Sequence, residues 1–159
     1  MSRTRHLEHA SRLLASPDEV WAHVGCMSGV NAELGPWLRM TTPAGLADVR
    51  LEDAPLGVPL FSSGVLFLGV LPVDVHRFQL LEVTRGAGFV EQSTSWTERT
   101  WRHERSLEPV EGGQRCLLRD RLTFTPRLAL MAPLLVRIVE ATFRHRHLRL
   151  RERFGGEAA

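Results

Sequence analysis

Two stretches of the chain place ionisable side chains where an apolar surface is expected. In Thr100 to Pro109, period-two alternation sets Trp101, His103, Arg105 and Leu107 on one strand face and Arg102, Glu104 and Ser106 on the other. In Arg115 to Thr125 it sets Cys116, Leu118, Asp120, Leu122 and Phe124 together. The apolar companions mark these as the inward faces, so His103, Arg105 and Asp120 are expected to be polar groups within an apolar lining. Unpaired buried charge is costly, which predicts that Arg105 pairs with Asp120 and that His103 lies beside them. Such a trio could act as a histidine acid or base oriented by a carboxylate, with an arginine steadying an enolate or binding a ligand carboxylate. It could equally be a structural network closing one end of the domain against His145 or His147. No hydroxyl or thiol stands at a nucleophile elbow, so no residue is assigned a catalytic role.

The elements that must hold these residues follow from turn and cap signals. Arg5 to Ala15 reads as an opening strand, ended by Ser16-Pro17-Asp18-Glu19, where Ser16 can cap a short helix from Asp18 to about Gly25. A second helical turn is expected from Val30 to Leu34, before Gly35-Pro36. Six further strands are expected: Val49 to Glu52, Leu60 to Val70, Val73 to Thr84, Phe89 to Thr97, Thr100 to Pro109 and Arg115 to Thr125. Pro126 to Phe154 then reads as one long helix, with Pro133 either kinking it or marking its true first turn. Its first half is apolar nearly all round and its second half keeps a stripe of Phe143, His147, Leu150 and Phe154 among arginines. A large antiparallel sheet curls and needs a cover, and this helix is the one element long enough to provide it. The expected architecture is α+β: a curved seven-stranded antiparallel sheet around a long C-terminal helix, with two short helices between strands 1 and 2.

Composition narrows the function classes. At 159 residues, 1–159 is expected to form a single domain able to bury a core without staples. All 20 basic side chains are arginine, and tyrosine is absent. Arg127 to Phe154 holds seven arginines against Glu140 and Glu152, so the positive charge belongs to the last helix. Such a run is expected to be a solvated helix end favoured by the dipole, and without interleaved aromatics it gives no case for nucleic acid. Cys26 and Cys116 form no metal or disulfide pattern, and the histidines are not at metal-ligand spacing, so no metal and no cofactor are expected. The chain shows no signal peptide and no apolar run of membrane-spanning length, which points to a cytoplasmic protein.

This order of elements resembles the helix-grip fold of the START/Bet v 1-like superfamily, also called SRPBCC or polyketide cyclase/dehydrase and lipid-transport proteins. The likeness rests on Ala15-Ser16-Pro17-Asp18-Glu19-Val20-Trp21, Trp101-Arg102-His103-Glu104-Arg105, Asp120-Arg121-Leu122 with Phe124-Thr125-Pro126, and Phe143-Arg144-His145-Arg146-His147 ending in Phe154-Gly155. The resemblance covers nearly the whole chain and implies a cavity between sheet and helix that binds a small hydrophobic molecule: a lipid, quinone or polyketide-like compound. The residues expected to line it are Trp101, His103, Arg105, Asp120, Phe67, Leu118, Leu135, Val139 and Phe143. The alternatives are a cyclase or dehydratase acting on a polyketide or aromatic substrate, and an interaction module using the basic helix. A homodimer is allowed by the same reading.

Overall fold

The computed structural model describes residues 2–159. Strand β1 (Arg5–Leu13) is followed by helices α1 (Pro17–Val24) and α2 (Met27–Leu34) and the short strand β2 (Leu38–Met40). Strands β3 (Pro59–Phe67), β4 (Leu71–Thr84), β5 (Gly88–Ser95), β6 (Glu98–Val110) and β7 (Arg115–Pro126) lead to helix α3 (Ala132–Phe154) and a short last strand, β8 (Gly156–Ala158). The sheet is antiparallel, in the order β2-β3-β4-β5-β6-β7-β1-β8. This is the helix-grip architecture.

Local chemistry explains the two helices that leave β1. Ser16 caps α1 in a capping box: its hydroxyl accepts from the Glu19 amide, and the Glu19 carboxylate accepts from the Ser16 amide at 2.8 Å. Pro17 occupies the first turn, where a missing N–H costs nothing. The other end of α1 is closed from outside, by Arg50 donating to the carbonyls of Trp21 (2.7 Å) and Ala22 (2.9 Å). That capping role is why Val49 to Glu52, expected as a strand, instead bends into a 3-10 turn at Leu51–Asp53. The edge strand is β2, which Asn31 fixes by exchanging two hydrogen bonds with the Met40 backbone. With β8 laid along β1 after the helix, the sheet has eight strands instead of seven.

Pro133 resolves as a first-turn residue: α3 begins at Ala132, preceded by a 3-10 turn at Ala129–Met131. Its 23 residues give a rod of about 35 Å. The rod packs chiefly against β1 and α2, so it covers the β6-β7-β1 half of the sheet and stands off the β3-β4-β5 half. Two core clusters lie under the covered half: Leu13, Trp21, Leu107, Leu118 and Leu150 among others at the α1 end, and Leu122, Phe124, Val139 and Phe143 further along.

Gly88, at the start of β5, fixes how closely β5 meets β6. Its φ of 142° lies outside the range other residues favour, and a Cβ there would sit 1.9 Å from the Arg105 carbonyl oxygen. Gly88→Ala is expected to cost at least about 2 kcal/mol in urea unfolding. A loss below a few tenths of a kcal/mol would show that the strand tolerates the shift.

Candidate functional site

The register of β6 and β7 sets Arg105 directly opposite Asp120 and His103 opposite Leu122. Asp120 is completely buried and takes four donors. Its Oδ1 accepts from His103 Nε2 (2.7 Å) and Arg105 Nε (2.7 Å), and its Oδ2 from Arg105 Nη2 (2.7 Å) and His147 Nε2 (2.9 Å). An ionised carboxylate only accepts, so both histidines present a protonated Nε2 to it. The far side of the Arg105 fork is filled by Glu33 of α2, which is 1% exposed and accepts from Nη1 (2.8 Å) and Nη2 (3.1 Å). Arg146 of α3 also donates to Glu33, at 2.7 Å. Two guanidiniums thus balance two carboxylates in one dry cluster joining α2, β6, β7 and α3.

Burial alone would push the Asp120 and Glu33 carboxyls up; the adjacent guanidiniums outweigh it, holding Glu33 at about 2 and Asp120 well below the usual carboxylate range. The chain of donors continues outward from His147. Arg151 donates to the Ser11 hydroxyl (2.9 Å), and the Ser11 hydroxyl pairs with His147 Nδ1 at 2.8 Å. The arginines of α3 are therefore not simply a solvated end: Arg146 is buried, and Arg144 and Arg149 pair with Glu140 and Glu152.

Beside this cluster, between α3 and the uncovered strands, lies a cavity of about 630 Å³. Its walls are mostly aliphatic and aromatic, from Met27 and Leu34 of α2, Phe61 and Phe78 of the sheet, and Leu135, Val139 and Phe143 of α3. Met131, Leu134 and Ile138 also face it and are partly exposed, Leu134 to 51%, which places its mouth at the start of α3. A polar strip runs along the sheet wall. His76 meets Glu91 Oε1 at 2.5 Å, Ser93 donates to the same oxygen, and His103 Nδ1 lies 3.6 Å from Glu91 Oε2. Burial would raise the Glu91 carboxyl, yet His76 and His103 hold it below its ordinary value; His76 is raised in turn, because Glu91 outweighs its burial.

Of the residues expected to line a pocket, Trp101, His103, Leu135, Val139 and Phe143 do so, and Arg105 reaches its deep end. Asp120 stands behind His103 and Arg105, out of the cavity. Two expected lining residues lie elsewhere. Phe67 is 39% exposed outside the cavity: it is the last residue of β3, beyond Phe61 and Val65, which share its parity and do line the cavity. Leu118 faces inward but packs under α1 in the solid core, beyond the end of the cavity. Sequence reasoning missed Glu33, Arg146, Glu91 and His76. Arg146 carried a usable signal, since it falls between Phe143 and Leu150 at the three-and-four spacing of the buried stripe.

The chain has the START/Bet v 1-like helix-grip fold, and solved structures share that fold across almost its whole length. A START superfamily protein from Mycobacterium smegmatis superposes with a TM-score of 0.66 at 14% identity, covering 94% of this chain and 96% of its own. The ZhuI aromatase/cyclase from a Streptomyces species gives 0.65 at 13% identity, covering 93% and 92%. Protein CV1439 from Chromobacterium violaceum gives 0.65 at 14% identity, covering 97% and 99%. Within that fold, residues 11–154 match the family described as Domain of unknown function (DUF8410), and the chain belongs to it. No curated protein matches the chain in sequence. Among the described residues, no helix is long and apolar enough to cross a membrane.

Glu33 gives the network a measurable pH signature. A carboxyl held near 2 in the folded state contributes stability that is complete above its ordinary value of 4.5 and is lost as pH falls toward 2. Glu33→Gln leaves Arg105 and Arg146 underpaired and is expected to cost about 3 kcal/mol at neutral pH. Its unfolding free energy should also fall less steeply than that of the wild type between pH 5 and pH 2, as read by denaturant titration. Parallel acid limbs in the two proteins would show that Glu33 is not held ionised by the arginines.

Proposed function

We propose that this protein binds a small, largely apolar molecule in the cavity between the sheet and α3. The observation that carries the reading is the cavity itself. Its volume of about 630 Å³ falls in the range of ligand sites, roughly 300–1,000 Å³, and its walls are predominantly apolar with a few convergent polar groups. The fold shared with a START superfamily protein and an aromatase/cyclase supports the same class. Trp101 and His103 are the aromatic and polar contacts offered by β6, Leu135, Val139 and Phe143 those offered by α3, while Arg105 and Asp120 hold His103 in place.

Binding is favoured over a cyclase or dehydratase activity centred on His103. Nε2 of that ring is committed to Asp120 and is not free to take a proton from a substrate, and the ring itself is packed edge-on against Phe89 and Phe143, which suits a fixed wall residue. The interaction-module reading is narrowed on one point: Arg146 is buried on Glu33 and Arg151 donates to Ser11, so these two arginines of the basic helix serve the chain itself.

Native mass spectrometry of the protein with a set of added lipids, quinones and aromatic polyketides tests the proposal. One equivalent bound by the wild type is expected, and Val139→Trp, which fills the cavity from α3, should lose it at a stability cost of about 1–3 kcal/mol. Unchanged binding by Val139→Trp, in a variant with native circular dichroism, would place the ligand outside the cavity. No binding of any compound would remove the proposal.

A further inference from the structure

The charges that reach the cavity do not balance. Arg105 and Arg146 lie at its deep end, but their guanidiniums are committed to Glu33 and Asp120. Arg50, at the loop side, is turned onto the carbonyls of α1 and onto Glu52. Thr142, the polar residue α3 adds between these, donates back to its own helix at Ile138. On the sheet wall the lining carboxylates are Glu91, Glu98 and Asp74, and the histidines facing them are His76 and His103.

Glu98 is the informative one. It is 5% exposed, yet no guanidinium meets it among the described residues. Its Oε2 accepts from the hydroxyls of Ser95 and Thr97, and Thr97 shares its single proton with Asp74 Oδ2, 2.6 Å away. No described residue donates to Oε1, and Glu98 lines the cavity. On the same wall Glu91 Oε2 has only the long contact to His103, at 3.6 Å. Two carboxylate oxygens therefore retain accepting capacity toward the cavity, whereas its arginines are taken up by other groups. In an apolar, poorly screened space, an anionic ligand would meet these charges with no free guanidinium to offset them, only the His76 imidazole already paired with Glu91, while a donor would satisfy an open acceptor.

We infer that the cavity selects an amphiphile whose polar end donates hydrogen bonds and carries no negative charge, an alcohol or amine, over the matching carboxylate, with Glu98 as the polar contact. This rests on the cavity reading above and adds the chemical class of the ligand. Of the two roles that sequence allows Arg105, it favours the structural one: its fork holds two protein carboxylates.

Dodecanol, dodecylamine and dodecanoate differ only at the head, and their binding below micellar concentration can be followed by tryptophan emission, since Trp101 lines the cavity and the chain has no tyrosine. At neutral pH the alcohol and the amine are expected to bind at least about tenfold more tightly than dodecanoate. Glu98→Gln keeps acceptors for Ser95 and Thr97 while removing the charge, and should narrow that ratio severalfold by strengthening dodecanoate binding. Glu91→Gln, which also removes the carboxylate that favours the His76 proton, should move the ratio less than Glu98→Gln does. Dodecanoate binding as tightly as the alcohol to the wild type would overturn the inference and leave the cavity reading standing. A ratio unmoved by either substitution would overturn the role of the acidic wall. If none of the three binds while Val139→Trp still releases some other neutral apolar compound, the head-group selection is wrong; if nothing binds at all, the cavity reading fails with it.

Discussion

The Arg105 guanidinium is the joint on which this structure turns. It is held in one plane by Asp120, from the neighbouring strand, and by Glu33, from a helix 72 residues earlier in the chain. Neither carboxylate could be buried alone, because a desolvated charge without a partner costs several kcal/mol. Arg105 therefore makes the positions of α2, β6 and β7 conditional on one another, and Arg146 brings α3 into the same condition. A buried ion cluster is a weak source of net stability compared with apolar packing of the same volume. Its stronger effect is on register. A one-residue slip of β7 would turn Asp120 to the outer face and set Arg119 or Arg121 opposite Arg105.

The cavity follows from where that joint sits. The network and the core clusters fasten the C-terminal half of α3 to β1, β7 and α2, through Phe143, Arg146, His147 and Leu150. The N-terminal half has no equivalent clamp: Leu135 and Val139 are buried, but Leu134 and Ile138 are about half exposed. A straight rod fastened at one end cannot follow a curved sheet to the other, so the space between them widens toward the start of α3. The same geometry explains why the apolar first half of the helix is not covered all round. Part of its apolar surface faces protein, and part faces the cavity and its mouth.

Strand parity made the covered half of the site legible. On β6 and β7 the inner and outer residues differ sharply in polarity, so an arginine and an aspartate among leucines and a phenylalanine stand out. On β5 that contrast is missing. Its inner residues are Phe89, Glu91, Ser93 and Ser95 and its outer ones Val90, Gln92 and Thr94, so neither face reads as the buried one. Nothing in the sequence therefore sets Glu91 apart from a solvated carboxylate. Glu33 was hidden for a different reason: on an eight-residue helix with no dominant apolar face, nothing local distinguishes a buried carboxylate from a solvated one. Phe67 shows the limit from the other side, since parity gives the face of a strand but not where along it the cavity ends. Val49 to Glu52 alternates as a strand would, but Arg50 finds better partners at the end of α1.

Two sets of buried ionisable groups thus lie side by side with different electrostatics. In the first, Arg105 and Arg146 cancel Glu33 and Asp120, and almost every donor and acceptor is used, which leaves the set nothing with which to recognise a ligand. In the second, Glu91, Glu98 and Asp74 outnumber the imidazoles beside them, and acceptor oxygens stay open on a wall that is otherwise apolar. The START superfamily protein and the aromatase/cyclase share this backbone at 13–14% identity, so the fold leaves the character of the cavity undetermined. That character is set by the few polar side chains the wall carries and by which of them the protein leaves without a partner. On the reading proposed above, the saturated set fixes the shape of the site, and the unsaturated one, on β4, β5 and the first residue of β6, is where discrimination among apolar molecules arises.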